Sequence, residues 1–499
     1  MDGPGALSVV RAALAATALA CLFAPSPARA QANYRLAPVG GRTTLVGGTG
    51  LAYGSDGASA FLNPATVMRI DSGRLSFSVN FYSIQYASSK TWYRPGPIDA
   101  QRFGDVPSAE GSVTSFTFDS LPSSLCLFFS TGRIGLFARE VTREADERAR
   151  LGVCLATTQL TQFDFDAADH EQSTSSGLVR QAHTINQSFR RFALGPTYAM
   201  QVTDDLAVGG SMHFSRAGHR STFGVTSARF GPQGTLSSIF YSSSQGDSYD
   251  VNATLGMTYR MGRQTVAVAL ESPSVHLYGT GKLSRYTHFE GDGAGTSSIV
   301  ADGDFASSTP PRLSLGTGVE GTWGSAELNV AIHAPVGDIY SASLDAHVLD
   351  SNGLAATDRQ TKLALSARAR GSMNIGIGGE LYMNRKVSLL GGMSTDLSTV
   401  PKGSLRGDPF NYFPARTNRL ATSFGFASHG DGGDLLFGAE LSYAWGERLT
   451  VNAYQAPPVL DTTRSTGYGV LFVIAGSTNL KNIRRAVEDV TKTFEKKKD

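Results

Sequence analysis

The sequence predicts an all-β protein, specifically a transmembrane antiparallel β-barrel, and three observations carry that prediction. Segments of about ten residues or more alternate apolar and polar side chains, where soluble strands average five or six. Tight turns such as TDD, MGRQ and NRK alternate with long Ser/Gly/Asp-rich connections over residues 158–186, 274–309 and 346–361. That asymmetry suits a barrel with short turns at one end and long loops at the other. Aromatic residues stand at strand ends, at Tyr259, Tyr382, Tyr443 and Trp445, where an interfacial girdle would lie. A water-soluble sandwich shares the alternation, so strand length, loop asymmetry and aromatic placement separate the two.

Residues 1–30 read as a signal peptide. Arg11, the apolar run Ala12 to Ala24 and Ala28-Arg29-Ala30 supply the basic, hydrophobic and A-x-A cleavage regions of an exported chain. A rival, lipoprotein processing at Cys21, has Leu19 one position too late. Residues 31–73 follow, rich in Gly, Ala and Ser (VGGTGLAYGSDGASAFLNPA) and without a clean period. They form either a disordered leader or a compact plug, and the apolar stretch Ala58 to Leu62 with the rigid Pro64 favours the plug.

The barrel is expected over residues 74–477. Its first strand places Leu75, Phe77, Val79 and Phe81 on one face and Arg74, Ser76, Ser78 and Asn80 on the other. Later strands repeat the pattern. Leu194, Tyr198 and Met200 oppose Ala193, Thr197 and Ala199; Met212 and Phe214 oppose His213; Leu328 and Ile332 oppose Glu327, Asn329 and His333; Ile375 and Ile377 oppose Asn374. Thirteen to fifteen strands can be counted, and closure expects an even number. In the tail, residues 478–499, Leu480, Ile483, Val487, Val490 and Phe494 mark one face of an amphipathic helix. It is either a surface helix or a dock for the barrel or a periplasmic partner.

Composition narrows the function. The 499 residues carry 44 basic and 42 acidic side chains, net +2, which offers no basic face for nucleic acid. No run of about 18 apolar residues follows the signal, so no transmembrane helix is expected. Cys126 and Cys154 could join in an oxidising periplasm; two small residues on strands is the favoured reading. Neither a G-x-S-x-G elbow nor an H-E-x-x-H helix occurs, and the nine histidines are scattered. Ser428-His429-Gly430-Asp431 reads as a Gly-rich turn. His213 and His333 lie on polar faces with nothing to single them out. No cofactor or metal is implied.

Candidate contacts remain. Arg190 and Arg191 could hold a ligand carboxylate, although a strand-end arginine at headgroup level is the commoner case. Glu271, Glu327, Glu380 and Glu440 point to the polar face, as lumen groups bonded to the plug or to water.

YGSDGASAFLNPATVMRI resembles the hatch motif of the outer-membrane long-chain fatty-acid transporter family, the FadL and toluene-porin family. The matching positions are Asp56, Ala58, Ser59, Ala60, Asn63, Pro64 and Ala65, with Gly57 as an insertion. FALGPTYAMQVTDDLAVGGSMHF and GIGGELYMNRKVSLLGGMSTDLSTVP are similar to two hairpins of that family. The resemblance implies a fourteen-stranded barrel whose lumen is filled by the N-terminal hatch. It implies passive uptake of hydrophobic molecules, captured by outer loops and released sideways through a gap at a kinked strand. Asp56, Ser59, Asn63, Pro64 and Ala65 are then hatch residues, with Asn63 bonding backbone in a tight turn and Pro64 fixing φ. Two features depart from the family: residues 142–150 (TREADERAR) and 164–184, placed in the outer loops, are polar, and a tail of more than twenty residues follows the last strand.

The leading expectation is therefore a non-enzymatic channel in the outer membrane of a Gram-negative bacterium, taking up long-chain fatty acids or aromatic hydrocarbons. Its partners would be the hydrophobic small molecule, outer-membrane lipid and lipopolysaccharide, and the barrel-assembly machinery, and the barrel would be a monomer. The alternative is a non-transporting, structural or partner-binding barrel. A third reading, a membrane-embedded hydrolase, would need Ser, His and Asp brought within hydrogen-bond reach.

Overall fold

The computed structural model describes Asn33 and residues 39–89, 93–94, 113–130, 148–174, 177–231, 234–290, 295–351, 356–401, 416–430, 432–452 and 459–480. The expected signal peptide and all but the first residue of the expected amphipathic tail motif lie outside these. One antiparallel sheet closes on itself through β1 (Arg74–Ser89) and β19 (Val459–Asn479). Fourteen strands make the wall. The final strand runs to Asn479 rather than residue 477.

The sheet has nineteen elements because four neighbouring strands are broken at one height and a two-residue β2 (Tyr93–Arg94) pairs parallel with Val451 and Asn452. β8 (Gln264–Glu271) continues as β9 (Val275–Phe289), β10 (Gly295–Ser307) as β11 (Arg312–Gly321), β12 (Gly324–His333) as β13 (Val336–Ser351), and β14 (Ala356–Ala369) as β15 (Ser372–Tyr382). Pro273, Pro310, Pro311 and Pro335 sit in three of the breaks and Gly371 in the fourth. Proline removes a ladder donor and is tolerated in a sheet at such interruptions.

Below the breaks, at the end where the wall strands begin and finish, the faces are inverted relative to a soluble protein. Leu194, Phe214, Leu255, Ile377 and Phe424 point outwards and are exposed, while Glu327, Glu380, Asn374 and His213 point inwards and are buried. On β18 (Gly433–Asn452), the exposed face runs from Leu435 to Trp445. At about 3.3 Å per residue and ~40° of tilt this spans roughly 25 Å, the height of an outer-membrane apolar band. Trp445, Tyr443 and Tyr468 cluster at its upper edge, and Tyr382 and Trp323 are exposed at the lower.

Above the band the faces exchange. Outward positions carry ion pairs such as Arg216–Asp247 (2.9 Å) and Arg359–Asp350 (3.4 Å). Inward positions carry the cluster Leu283, Ile299, Phe305, Tyr340, Leu344 and Val348. The stretches predicted as long outer loops are strand here. β4 (Ala149–Thr174), β5 (Gly177–Gln201), β6 (Leu206–Gly231) and β7 (Gly234–Met261) are 25 to 28 residues long, or roughly 65 Å along the barrel. Outward positions on β6 and β7 there, such as Arg216, Arg220 and Gln245, are polar and exposed, so these polar stretches are strand rather than loop. TREADERAR is also relocated. β3 (Val113–Ser130) runs down and β4 runs up, so Arg148, Ala149 and Arg150, the described part of TREADERAR, stand at the hatch end; its residues 142–147 lie outside the described residues.

Cys126 and Cys154 form a disulfide, contrary to the favoured reading of two isolated small residues. The β3–β4 register sets them directly opposite, facing the hatch, with Cα atoms 4.2 Å apart. At that spacing two side chains on one face of a sheet meet.

Candidate functional site

Residues 40–73, the segment expected to be the hatch, pack against the inward face of the lower wall: a helix at Gly41–Leu45, a turn of helix at Ser59–Leu62 and a 3-10 helix at Pro64–Arg69. Such short helices are not stable alone, so side chains hold them. The Asp56 carboxylate accepts from the Thr43 amide and hydroxyl (3.0 Å each) and from the Ala58 amide (3.1 Å), tying the two halves together. Burial pushes its pKa up from the ordinary value, partly offset by those donors and by Arg42. Asn63 caps the 3-10 helix, accepting from the Ala65 amide (3.1 Å), with Pro64 at the first helical position. Its amide donates to the carbonyls of Leu51 (2.7 Å) and of Met257 in the wall (3.3 Å). Ser59 and Ala65 are buried beside it. The wall is hollowed to receive this motif. Gly209 and Gly256 pair across β6 and β7, and a Cβ would lie 1.9 Å from Asn63 Oδ1 at Gly256 and 2.6 Å from the Pro64 carbonyl carbon at Gly209.

Inward wall side chains fasten the hatch. Glu327 accepts from the backbone amides of Gly50 (3.0 Å), Ala52 (2.9 Å) and Tyr53 (3.2 Å). Glu380 pairs with Arg42 of the hatch. Ser211 donates to the Ala60 carbonyl at 2.7 Å, and Ser423 accepts from the Gly47 amide at 3.0 Å. Glu271 reaches the hatch by relay: it pairs with Arg312 (2.8 Å), which donates to the Phe61 carbonyl (2.9 Å). Glu440 differs from its expected role. It pairs with Arg419 of the next wall strand, which neutralises it without the hatch.

The adjacent arginines part. Arg191 is buried in the lumen, donating to Asp250 (2.8 Å), Ser307 (2.9 Å) and Gln159 (3.2 Å). Arg190 faces out, its guanidinium 5.7 Å from the centre of the Phe192 ring.

Between the hatch and the breaks in the wall lies a cavity of about 160 Å³. Leu51, Phe61 and Leu62 of the hatch form its floor, and Ala193, Ala331 and Pro310 are among its apolar sides. Thr158 and Gln159 also line it; they lie at a β-bulge in β4. Here the wall parts. β3 and β4 are laddered only from Ser124–Ala156 down to Ser130–Arg150. Above, β3 pairs with β1 and β4 with β5, and among the described residues the two share no further ladder.

Among the described residues, two Ser–His–Asp groupings occur. Ser388 Oγ lies 2.9 Å from His429 Nε2, and His429 Nδ1 lies 3.1 Å from Asp434. The Ser388 hydroxyl is wholly buried and also donates to Glu380, itself paired with the hatch, so a substrate carbonyl has no place beside it. At Ser248, His276 presents the same nitrogen, Nδ1, to Ser248 (3.1 Å) and to Asp250 (3.3 Å). One nitrogen cannot relay a proton between them as a triad requires.

No protein-family model and no curated protein sequence matches the chain. Solved structures do. The CymD monoaromatic hydrocarbon channel is 14% identical, with 89% of this chain and 98% of that one covered at a TM-score of 0.53. A Pseudomonas aeruginosa FadL homologue is 13% identical, covering 91% and 100%, at 0.54. The P. putida toluene transporter TodX is 14% identical, covering 89% and 99%, at 0.53. The chain shares their fold.

Sequence reasoning missed Arg312, Asp250, Ser211 and Ser423, which the hatch and lumen use. Each sits on a polar strand face, and only the hatch shows which of many such residues it touches. The wall breaks were findable, since SPS, STPPR and HAP interrupt otherwise alternating strands.

Proposed function

We propose that this protein is an outer-membrane channel of the fatty-acid and toluene transporter family, for passive uptake of small hydrophobic molecules, gated by its hatch and releasing ligand sideways. The observation that carries the reading is the arrangement of the lower lumen. A hatch tied to the wall closes it, a cavity lies directly above, and the cavity wall includes the β4 bulge where β3 and β4 part. The apolar outer band supports a place in the outer membrane, with the hatch end towards the periplasm. The apolar interior above the band (Phe305, Tyr340 and Leu344) supplies the hydrophobic approach that polar outer faces do not.

The chemistry is one of phase transfer. A hydrocarbon crosses a charged, hydrated lipopolysaccharide layer slowly, whereas a dry apolar passage removes that barrier. A seam at mid-band delivers the molecule into lipid acyl chains, driven by its own partition free energy of about 25 cal/mol per Å² of apolar surface. Arg42, Glu327 and Asn63 set how readily the hatch moves. The channel needs no energy source or cofactor for this.

Removing residues 31–60 tests the gate. The barrel is expected to fold, shown by a heat-modifiable gel shift, and to pass hydrophobic probes at an altered rate. Unchanged uptake of every probe would overturn hatch gating.

A further inference from the structure

On the outer face of β5 and β6, apolar side chains give way to arginine at a single step. Read upwards from the hatch end, the outward positions include Met200, Tyr198, Leu194 and Phe192 on β5, and Met212 and Phe214 on β6. The next outward position is Arg190 on β5 and Arg216 on β6. Arg220, also exposed, follows two outward positions above Arg216.

The register brings these three arginines together. Arg190 lies directly opposite Gly218, and Arg216 and Arg220 stand two residues to either side of that glycine. Diagonal neighbours on one face of a sheet are about 7–8 Å apart, so three long side chains can converge on one anion. Gly218 leaves the centre open: among the described residues, a Cβ there would meet Asp247 Oδ1 at 3.4 Å and nothing nearer. Two of the arginines are already oriented. The Arg190 guanidinium lies against Phe192, and Arg216 donates to Asp247 from Nε (3.2 Å) and from a terminal nitrogen (2.9 Å). Asp247, opposite Gly218 on β7, is one carboxylate against three guanidiniums. This positive charge is local. On β10 and β13 the exposed positions include Asp302, Asp304 and Asp345.

Guanidinium forks match the oxygens of a phosphate, and the outward apolar positions directly below suit acyl chains. An anion that carries its own chains satisfies both surfaces at once, whereas a free ion uses only the arginines. We propose that Arg190, Arg216 and Arg220 form an external site for the phosphate of an acylated glucosamine headgroup, the lipid moiety of lipopolysaccharide. The inference rests on the outer-membrane placement proposed above, with the hatch end towards the periplasm, which sets these arginines in the outer leaflet. It does not depend on what passes through the lumen.

The test titrates the purified full chain in detergent with diphosphoryl lipid A, its dephosphorylated form, phosphatidylglycerol and inorganic phosphate, with binding read by native mass spectrometry. Diphosphoryl lipid A is expected to bind at least roughly tenfold more tightly than the dephosphorylated form, the worth of one charge-assisted hydrogen bond or more, and tighter than phosphatidylglycerol. Inorganic phosphate is not expected to bind measurably. Arg190→Gln with Arg220→Gln should weaken diphosphoryl lipid A roughly tenfold and leave the dephosphorylated form unchanged. Arg260→Gln is the control: its side chain is 58% exposed, as that of Arg216 is, but stands at the hatch end beside Asp205, and it should change nothing. The gel shift confirms each fold; should the double variant misfold, the wild-type ranking of the four probes decides. Equal affinity with and without phosphates, phosphatidylglycerol binding as tightly as lipid A, or an equal loss in Arg260→Gln would overturn the site. Toluene uptake by cells with and without the protein is read separately. Protein-dependent uptake with no lipid A preference removes the site and leaves the channel; the reverse pattern removes the channel and leaves the site.

Discussion

Asn63 joins three parts of the molecule with one side chain. It caps the 3-10 helix, holds the Leu51 carbonyl and reaches the wall at Met257. Asn63→Ala removes a cap and leaves a buried carbonyl short of a donor, a loss of about 2 kcal/mol. The expected result is a hatch cut faster by added protease while the barrel stays intact. Gly256→Ala should act the same way from the other side, because its Cβ would occupy the space of Asn63 Oδ1. Asp56 adds a pH dependence. Burial raises its pKa in the seated hatch, so the seated form keeps a proton that the released form gives up. Seating is then fully supported at and below the ordinary carboxylate range, near 4. It weakens as pH rises through the raised value. Protease sensitivity of the hatch should climb over that window, and Asp56→Asn, which cannot ionise, should flatten the climb.

At the scale of elements, the hatch and the β3–β4 seam govern the behaviour. Glu327 satisfies three hatch amides, and Glu327→Ala leaves them buried and unpaired at about 3 kcal/mol or more. Hydrogen exchange at Gly50, Ala52 and Tyr53 should then accelerate while the wall strands stay protected. The disulfide sits just below the point where β3 and β4 part, so Cys126→Ser with Cys154→Ser should lower the unfolding temperature and loosen that seam. The sequence made some of these elements legible. Alternation assigned the faces of residues 192–202 and 326–333 because period 2 survives whatever the strand packs against. The segment that carries the NPA block packs against the inner face of the wall, and the first strand begins at Arg74. Arg190 and Arg191, read together, were split by the same period, one to the lumen and one to the outer face. The disulfide was not legible, since register between strands 28 residues apart is a property of the closed sheet. Nor were the tall hairpins: above the apolar band the outer face turns polar, and Ser/Gly/Asp-rich strand then looks like loop.

As a whole the molecule is two stacked environments, apolar outside and polar inside within the band, and the reverse above it. A barrel of this kind resists detergent until heated, so an unboiled sample should migrate faster on a gel than a boiled one. Under the proposed function, a wall with polar outer faces above the band would still offer hydrophobic ligands an apolar surface, on its inside. The proposed function requires that the hatch gate passage of small hydrophobic molecules. Its most direct test is the initial rate of labelled toluene and p-cresol uptake by intact cells that lack the protein, carry it, or carry it without residues 31–60. Uptake should depend on the protein and change when the hatch is removed. Equal rates in all three strains would contradict it.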